Sequence, residues 1–218
     1  MPITILDKSL TFPDTALAES DGMLAVGGDL SEERLLLAYR SGIFPWFSGS
    51  TPHWYAPDPR FVLIPELLNV SKSMNVLIKR NAFEFTINKA FDEVITQCGS
   101  IRRPGQFGTW INKAMLKAYK KLHEHGHAVS AEAWKDGQLA GGLYGIRIGR
   151  IFFGESMFAR QSNASKFAFI KFVEQLQCEG VKLIDCQVYT EHLESLGAMM
   201  ISRIKFEALL ATLISEPR

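Results

Sequence analysis

Apolar residues recur along this chain with two periods, and each period names an element. Helical spacing appears in Leu35, Leu36, Ala38 and Tyr39. Ser31 can cap that helix, Glu32 and Glu33 suit its first turn, and Gly42 ends it. The same reading predicts a short helix after Ser71 and a helix from Asn88 through Cys98, stopped by Gly99. It also predicts a helix from Asn112 to His125, stopped by Gly126, and a long one from Ser162 or Asn163 to Glu179, stopped by Gly180. Alternation predicts strands in "FEFTI", "HAVSAEAW" and "VKLIDCQVY", and a hairpin of "QLAGGLYGIRI" and "IFFGESMF" around Gly149-Arg150. "EHLESL" reads as a short helix, "AMMI" as a strand, and Ser202 as the cap of a last helix. In "GIFPWFSGSTPHWYAPDPR" the prolines are too dense for a regular element. Phe44, Trp46, Phe47, Trp54 and Tyr55 are therefore expected to pack elsewhere or to line a pocket.

Residues 1–62, rich in Pro and Gly, read as a small N-terminal domain, and residues 63–218 as a second one. The order of elements in the second is strand, two helices, three antiparallel strands, helix, strand, helix, strand. That is the plan of the N-acetyltransferase (GNAT) fold, an α+β domain with a mixed, mostly antiparallel sheet flanked by helices. Such a plan leaves function open.

Composition narrows the setting. The chain has 218 residues, 47% of them hydrophobic and 22% charged, which suits a folded domain with a sizeable core. Three cysteines, with no C-x-x-C pair, suit a reducing cytoplasm and argue against a disulfide framework or a zinc knuckle. No signal peptide is legible and no apolar run approaches a membrane span, so no membrane partner is expected. The net charge of +1 conceals segregation: residues 1–60 carry eight acids against four bases, and residues 71–121 carry ten bases against three acids. The basic block suggests a face for a polyanion. Within it, Lys113, Lys117, Lys120 and Lys121 fall on one helical stripe, with Arg102 and Arg103 in the preceding loop. Phosphate contacts of this kind position a nucleic acid without reading it, and Trp46 and Trp110 could stack a base. A solvated lysine face with core tryptophans is the plainer alternative.

Three polar residues stand in apolar strands. Ile151, Phe153, Glu155 and Met157 are expected on one face, with Gly154 leaving the neighbouring backbone open to close approach. Asp185 and Gln187 are expected together on one face of the next strand, where the carboxylate could orient the amide and leave its carbonyl oxygen to accept. Capping, ion pairing or closure of a sheet end would explain the same residues without chemistry. "ARQSNASKF" has Asn163 and Ser165 where a Q/R-x-x-G-x-G/A turn would hold coenzyme A, so that acyl donor is disfavoured. "HEHGH" crosses a helix stop, which argues against a metal site, and no metal or cofactor is expected. Three readings stay open on these residues: a transferase using another donor, an acetyl-CoA enzyme, and a non-catalytic RNA-binding module.

The stretches "GMLAVGGDLSEERLLLAYRSGIFPWFS", "APDPR", "TWI", "AYKKLHEHGHAVSAEAW", "LAGGLYGIRIGRIFFGESMF", "NASK", "LIDCQV" and "HLESLGA", in this order, resemble the leucyl/phenylalanyl-tRNA–protein transferase family. The resemblance implies transfer of Leu or Phe from aminoacyl-tRNA to proteins whose N-terminus is Arg or Lys, marking them for N-degron-dependent degradation. It implies leucyl- and phenylalanyl-tRNA and such acceptor proteins as partners, a cytoplasmic location and a monomer. It implies that Asp185 polarises Gln187, that Gln187 holds the attacking amine, and that Glu155 places the substrates. Trp46, Trp110 and Tyr119 would contact the terminal adenosine. Leu143, Phe152, Phe172 and Ile184 would form the apolar pocket for the donor side chain, discriminating by shape. Arg102, Arg103, Lys113, Lys117, Lys120 and Lys121 would meet tRNA phosphates. Two departures stand out, Tyr55-Ala56 in "HWYAPDPR" and Ala131 in "AEAW".

Overall fold

Side-chain caps start most of the helices. In the computed structural model, which describes residues 3–101 and 111–215, the Ser31 hydroxyl accepts from the Arg34 amide and opens α1 (Glu32–Arg40). Ser71 does the same for α2 (Lys72–Lys79), and Asn112 for α4 (Lys113–Glu124). The Asn88 expectation is corrected. Asn88 has a left-handed backbone and accepts from the Ser130 amide, so α3 (Phe91–Ser100) starts later. Its amino end is held by the buried Glu132 carboxylate, which accepts from the Ala90 amide at 3.4 Å. The remaining helices are α5 (Ala164–Cys178), α6 (Glu191–Glu194) and α7 (Arg203–Ser215).

Two sheets carry the architecture. Strands β1 (Thr4–Leu6), β2 (Met23–Gly27), β3 (Phe44–Pro45) and β4 (His53–Tyr55) form a four-stranded sheet in the order β1-β2-β4-β3. Two of these strands lie in the proline-rich stretch, where none was expected. They form because the prolines sit at strand ends and in turns, leaving Trp46 N–H free to donate to the His53 carbonyl. Strands β5 (Arg60–Leu63), β6 (Glu84–Ile87), β7 (Ala128–Lys135), β8 (Gln138–Ile148), β9 (Ile151–Ala159), β10 (Leu183–Gln187) and β11 (Met199–Ile201) form the larger sheet, ordered β11-β5-β10-β9-β8-β7-β6. Within it only β9 and β10 pair in parallel. The protein is therefore α+β, with mixed and mostly antiparallel sheets. The strand β5 crosses the expected boundary at residue 62.

Apolar alternation divides the larger sheet into two buried faces. Ile146, Ile151, Phe153 and Leu183 pack with α3, α4, α7 and the smaller sheet. Leu143, Phe152 and Ile184 pack with α5. Alternation breaks once where it matters most. Opposite Tyr144 and Gly145 the register of β9 shifts, so that Gly154 faces Gly145 and Ser156 faces Tyr144. Glu155 is the extra residue of this bulge. Glu155 keeps the face of Ile151 and Phe153, but Met157 moves to the opposite one, which corrects the expectation that all four share a face. Gly145 makes the bulge possible. A Cβ there would lie 2.1 Å from the Phe153 carbonyl oxygen and 2.5 Å from the Phe152 ring.

Gly145→Ala is thus expected to destabilise the protein by about 1–3 kcal/mol, since the added methyl meets backbone that cannot move aside. Urea denaturation of the two proteins, with equal m-values, measures it.

Candidate active site

The parallel ladder between β9 and β10 pairs only as far as Phe153 and Asp185. Beyond that point the strands part, and a cavity of about 590 Å³ opens in the gap. Leu143, Phe152, Met157, Phe169 and Ile184 make its apolar wall, and Glu155 and Gln187 stand at its polar end. Trp46, 39% exposed, forms part of the rim and packs edge-on against Tyr55 at 5.5 Å.

Asp185 and Gln187 are hydrogen-bonded, through the main chain of Gln187 and not through its side-chain amide as expected. Arg60 enters from β5 and donates from Nε and Nη2 to the two Asp185 carboxylate oxygens at 2.8 and 2.7 Å. Both residues are buried, and the guanidinium is sandwiched between Phe44 and Phe206, 4.7 Å from each ring centre. One Asp185 oxygen also accepts the main-chain N–H of Gln187 at 2.9 Å. Gln187 has φ +65°, and Val188 N–H closes a three-residue turn onto the Cys186 carbonyl. That conformation is strained for a residue other than Gly. Asp185 therefore holds Gln187 through its backbone and leaves the side chain free to turn to Glu155. The Gln187 amide nitrogen donates to Glu155 Oε1 at 2.9 Å, and its carbonyl oxygen is left to face the cavity.

Glu155 lines the cavity and is held from the side of the helices by hydrogen-bonding groups. Tyr39, from α1, donates to Oε1 at 2.7 Å, and Tyr119, from α4, to Oε2 at 3.0 Å. The two phenols are hydrogen-bonded to each other as well. Three oxygen–oxygen contacts thus close a ring in which the phenols supply two protons. A proton on Glu155 would complete it. Burial pushes the Glu155 carboxyl up to about 7, against the opposing pull of the Tyr39, Tyr119 and Gln187 hydrogen bonds. Burial raises both phenols further from ionisation, and the Glu155 charge adds to it.

Some expected positions need correction. Tyr119 is wholly buried beneath Glu155, so it orients that carboxylate and is closed off from a nucleotide. Phe172 lies behind Phe152, edge-on at 5.0 Å, and supports the pocket wall without lining it. Arg102, Arg103 and Trp110 lie outside the described residues. Lys113, Lys117, Lys120 and Lys121 share the outer face of α4, away from the buried Met115, Tyr119 and Leu122. Lys120 is paired with Asp92 and Lys121 with Glu32. His123 stacks on Phe91, while His125 and His127 both reach Glu32. Arg60, Tyr39, Met157 and Phe169 escaped sequence reasoning. A lone cation heading the apolar run "RFVL" was the available sign of a buried counter-charge for Asp185.

An oily chamber ending in a carboxylate that titrates near neutrality, with an amide beside it, is the equipment of a group-transfer enzyme. The chain belongs to the leucyl/phenylalanyl-tRNA–protein transferase family. Residues 62–211 match the family model described as Leucyl/phenylalanyl-tRNA protein transferase, and residues 28–58 match that of its N-terminal domain. A leucyl/phenylalanyl-tRNA–protein transferase of Syntrophobacter fumaroxidans is 52% identical over 217 residues, 99% of this chain and 93% of that protein. One of Flavobacterium johnsoniae is 53% identical over 206 residues, 94% of this chain and 97% of that protein. Among solved structures, a conserved protein of unknown function from Bacteroides thetaiotaomicron aligns over 63% of this chain and 53% of its own, with 14% identity and a TM-score of 0.47, too little to carry an argument.

Removing either member of the Arg60–Asp185 pair is expected to cost about 3–5 kcal/mol, because the other charge stays buried alone. Arg60→Met with Asp185→Leu should recover much of that loss, and denaturation of both single variants and the double variant checks it. For Glu155 the sign follows from a folded pKa near 7 above an ordinary value of 4.5. The folded state holds the proton more tightly, so stability falls as pH rises from about 4.5 to 7. Glu155→Gln should therefore gain in stability relative to the parent between pH 5 and 8, as read from melting temperatures across that range.

Proposed function

We propose that this protein transfers leucine or phenylalanine from aminoacyl-tRNA to the N-terminal Arg or Lys of acceptor proteins, tagging them for N-degron-dependent degradation. The observation that carries the reading is the cavity in which Glu155 and Gln187 meet a wall of Leu143, Phe152, Met157, Phe169 and Ile184. A wall without polar groups suits a Leu or Phe side chain and excludes polar ones by desolvation. The ester of the donor is already activated, so the protein's task is to place an amine and take its proton.

The Gln187 carbonyl oxygen is oriented to accept from the acceptor α-amine, because its amide nitrogen is committed to Glu155. Glu155, titrating near 7, is matched to receive the proton that the α-ammonium must shed. The amine then attacks the ester carbonyl carbon, the new C–N bond forms, and the C–O bond to the ribose breaks. The newly bonded nitrogen gives up its second proton to the departing ribose oxygen, which leaves as a hydroxyl. Asp185 and Arg60 act at one remove, by keeping the Gln187 turn in place. Trp46 at the rim is available to stack the terminal adenine, and Lys113 and Lys117 on α4 to meet tRNA phosphates.

A GNAT-like topology is supported by the element order from β6 to β11 and by the parting of the parallel strands β9 and β10 around the cavity. We place the protein in the cytoplasm, where its donor is made. No helix among the described residues is long and apolar enough to cross a membrane.

Labelled leucyl-tRNA, or labelled acetyl-CoA, supplied with a protein bearing N-terminal Arg tests the function. Transfer from the tRNA alone is expected. Transfer from acetyl-CoA, or tRNA binding without transfer, would overturn it. Gln187→Ala should lower kcat by about 10²-fold or more with little change in donor KM.

A further inference from the structure

The cavity has a second polar feature that neither the apolar wall nor the Glu155 cluster uses. The His192 ring, on α6, lines the chamber together with Thr190 and Leu193. Leu193 packs into the core on the α5 side of the sheet, whereas Glu155 meets its tyrosines on the opposite side. Nε2 of His192 is buried and has no hydrogen-bond partner among the described residues. A ring nitrogen left without a partner is unfavourable, and a turn of the ring would present it to a ligand in the chamber that this residue lines.

Charge decides which ligand. Lys166 follows the cavity-lining Ser165 in the first turn of α5. Burial, and after it the Lys166 ammonium, holds the imidazole below its ordinary pKa, so the ring is neutral at pH 7 and still carries one N–H. An acceptor with N-terminal Arg or Lys brings two positive charges and is repelled from this end. The donor brings a negative phosphodiester on the 5′ side of its terminal nucleoside. Resting on the transferase reading, we propose that His192 and Lys166 form the subsite for that terminal phosphodiester and fix the direction in which the donor enters the cavity. The Nε2–H donates to a phosphate oxygen, Lys166 supplies the opposite charge, and the aminoacyl group is thereby directed past β10 toward Gln187.

Two competitors of leucyl-tRNA test this in the full-length protein: adenosine carrying leucine through a stable 3′-amide, with and without a 5′-phosphate. In the parent protein the 5′-phosphate should tighten inhibition about tenfold, the worth of a charge-assisted hydrogen bond. His192→Ala should lose that advantage while inhibition by the unphosphorylated compound stays within about twofold, and it should raise the KM for leucyl-tRNA more than it lowers kcat. His192→Gln, which can return an N–H near the Nε2 position, should recover part of the advantage. Lys166→Ala, which alters a side chain that takes no part in the core, should show the same selective loss. Equal weakening of both compounds, no phosphate advantage in the parent protein, or a rise in the KM of the acceptor peptide instead would overturn the subsite. Absence of any transfer from leucyl-tRNA in the parent protein would overturn the transferase reading itself, so the two failures are distinct.

Discussion

One buried ion pair organises the site. Arg60 and Asp185 lie on neighbouring strands, both out of water, and each is tolerable only because the other is there. The pair does three things at once. It ties β5, which leads out of the N-terminal unit, to the centre of the larger sheet. It is clamped between Phe44 of the smaller sheet and Phe206 of α7, so three parts of the chain converge on it. And through the second bond of Asp185 it stabilises the strained turn at Gln187. Surface pairs in the same protein, such as Lys182–Glu66, face solvent and carry no such consequence.

Glu155 shows the complementary principle. A carboxylate in an apolar strand is a burden on stability, and the fold accepts it by a bulge in β9 and a tyrosine from each of two helices. These hydrogen bonds compensate only partly, so the carboxyl settles near pH 7 and not in the usual acid range. Incomplete compensation is useful here. A group fully satisfied as an anion would not give up or accept a proton near neutrality, whereas this one is poised to do so.

The placement of Gln187 joins the two. Its backbone answers to Asp185, its amide nitrogen to Glu155, and its carbonyl oxygen to the cavity. With both other groups committed, the side chain cannot rotate its amide without breaking a bond to a buried acid. The cavity wall and this fixed acceptor meet where β9 and β10 part, a place in the sheet where a ligand can reach polar atoms from within an apolar surround.

Much of this was legible in the chain. Periodicity and capping residues determined most of the helices and the long hairpin, because those signals act within a few residues. Glu155, Asp185 and Gln187 announced themselves as polar residues in apolar strands, whereas Leu143, Phe152 and Ile184 were pointed to as a wall only by the family resemblance. What sequence alone could not decide was partnership. Arg60 and Asp185 are 125 positions apart, and Tyr39 and Glu155 are 116 apart. Alternation assumes an unbroken ladder, so it could not foresee the bulge that sends Met157 to the other face, nor that Tyr119 would be sealed beneath Glu155. Local pattern reports which residues are buried. Only the pairing of strands, set by the balance of all their contacts together, determines what each buried polar group meets.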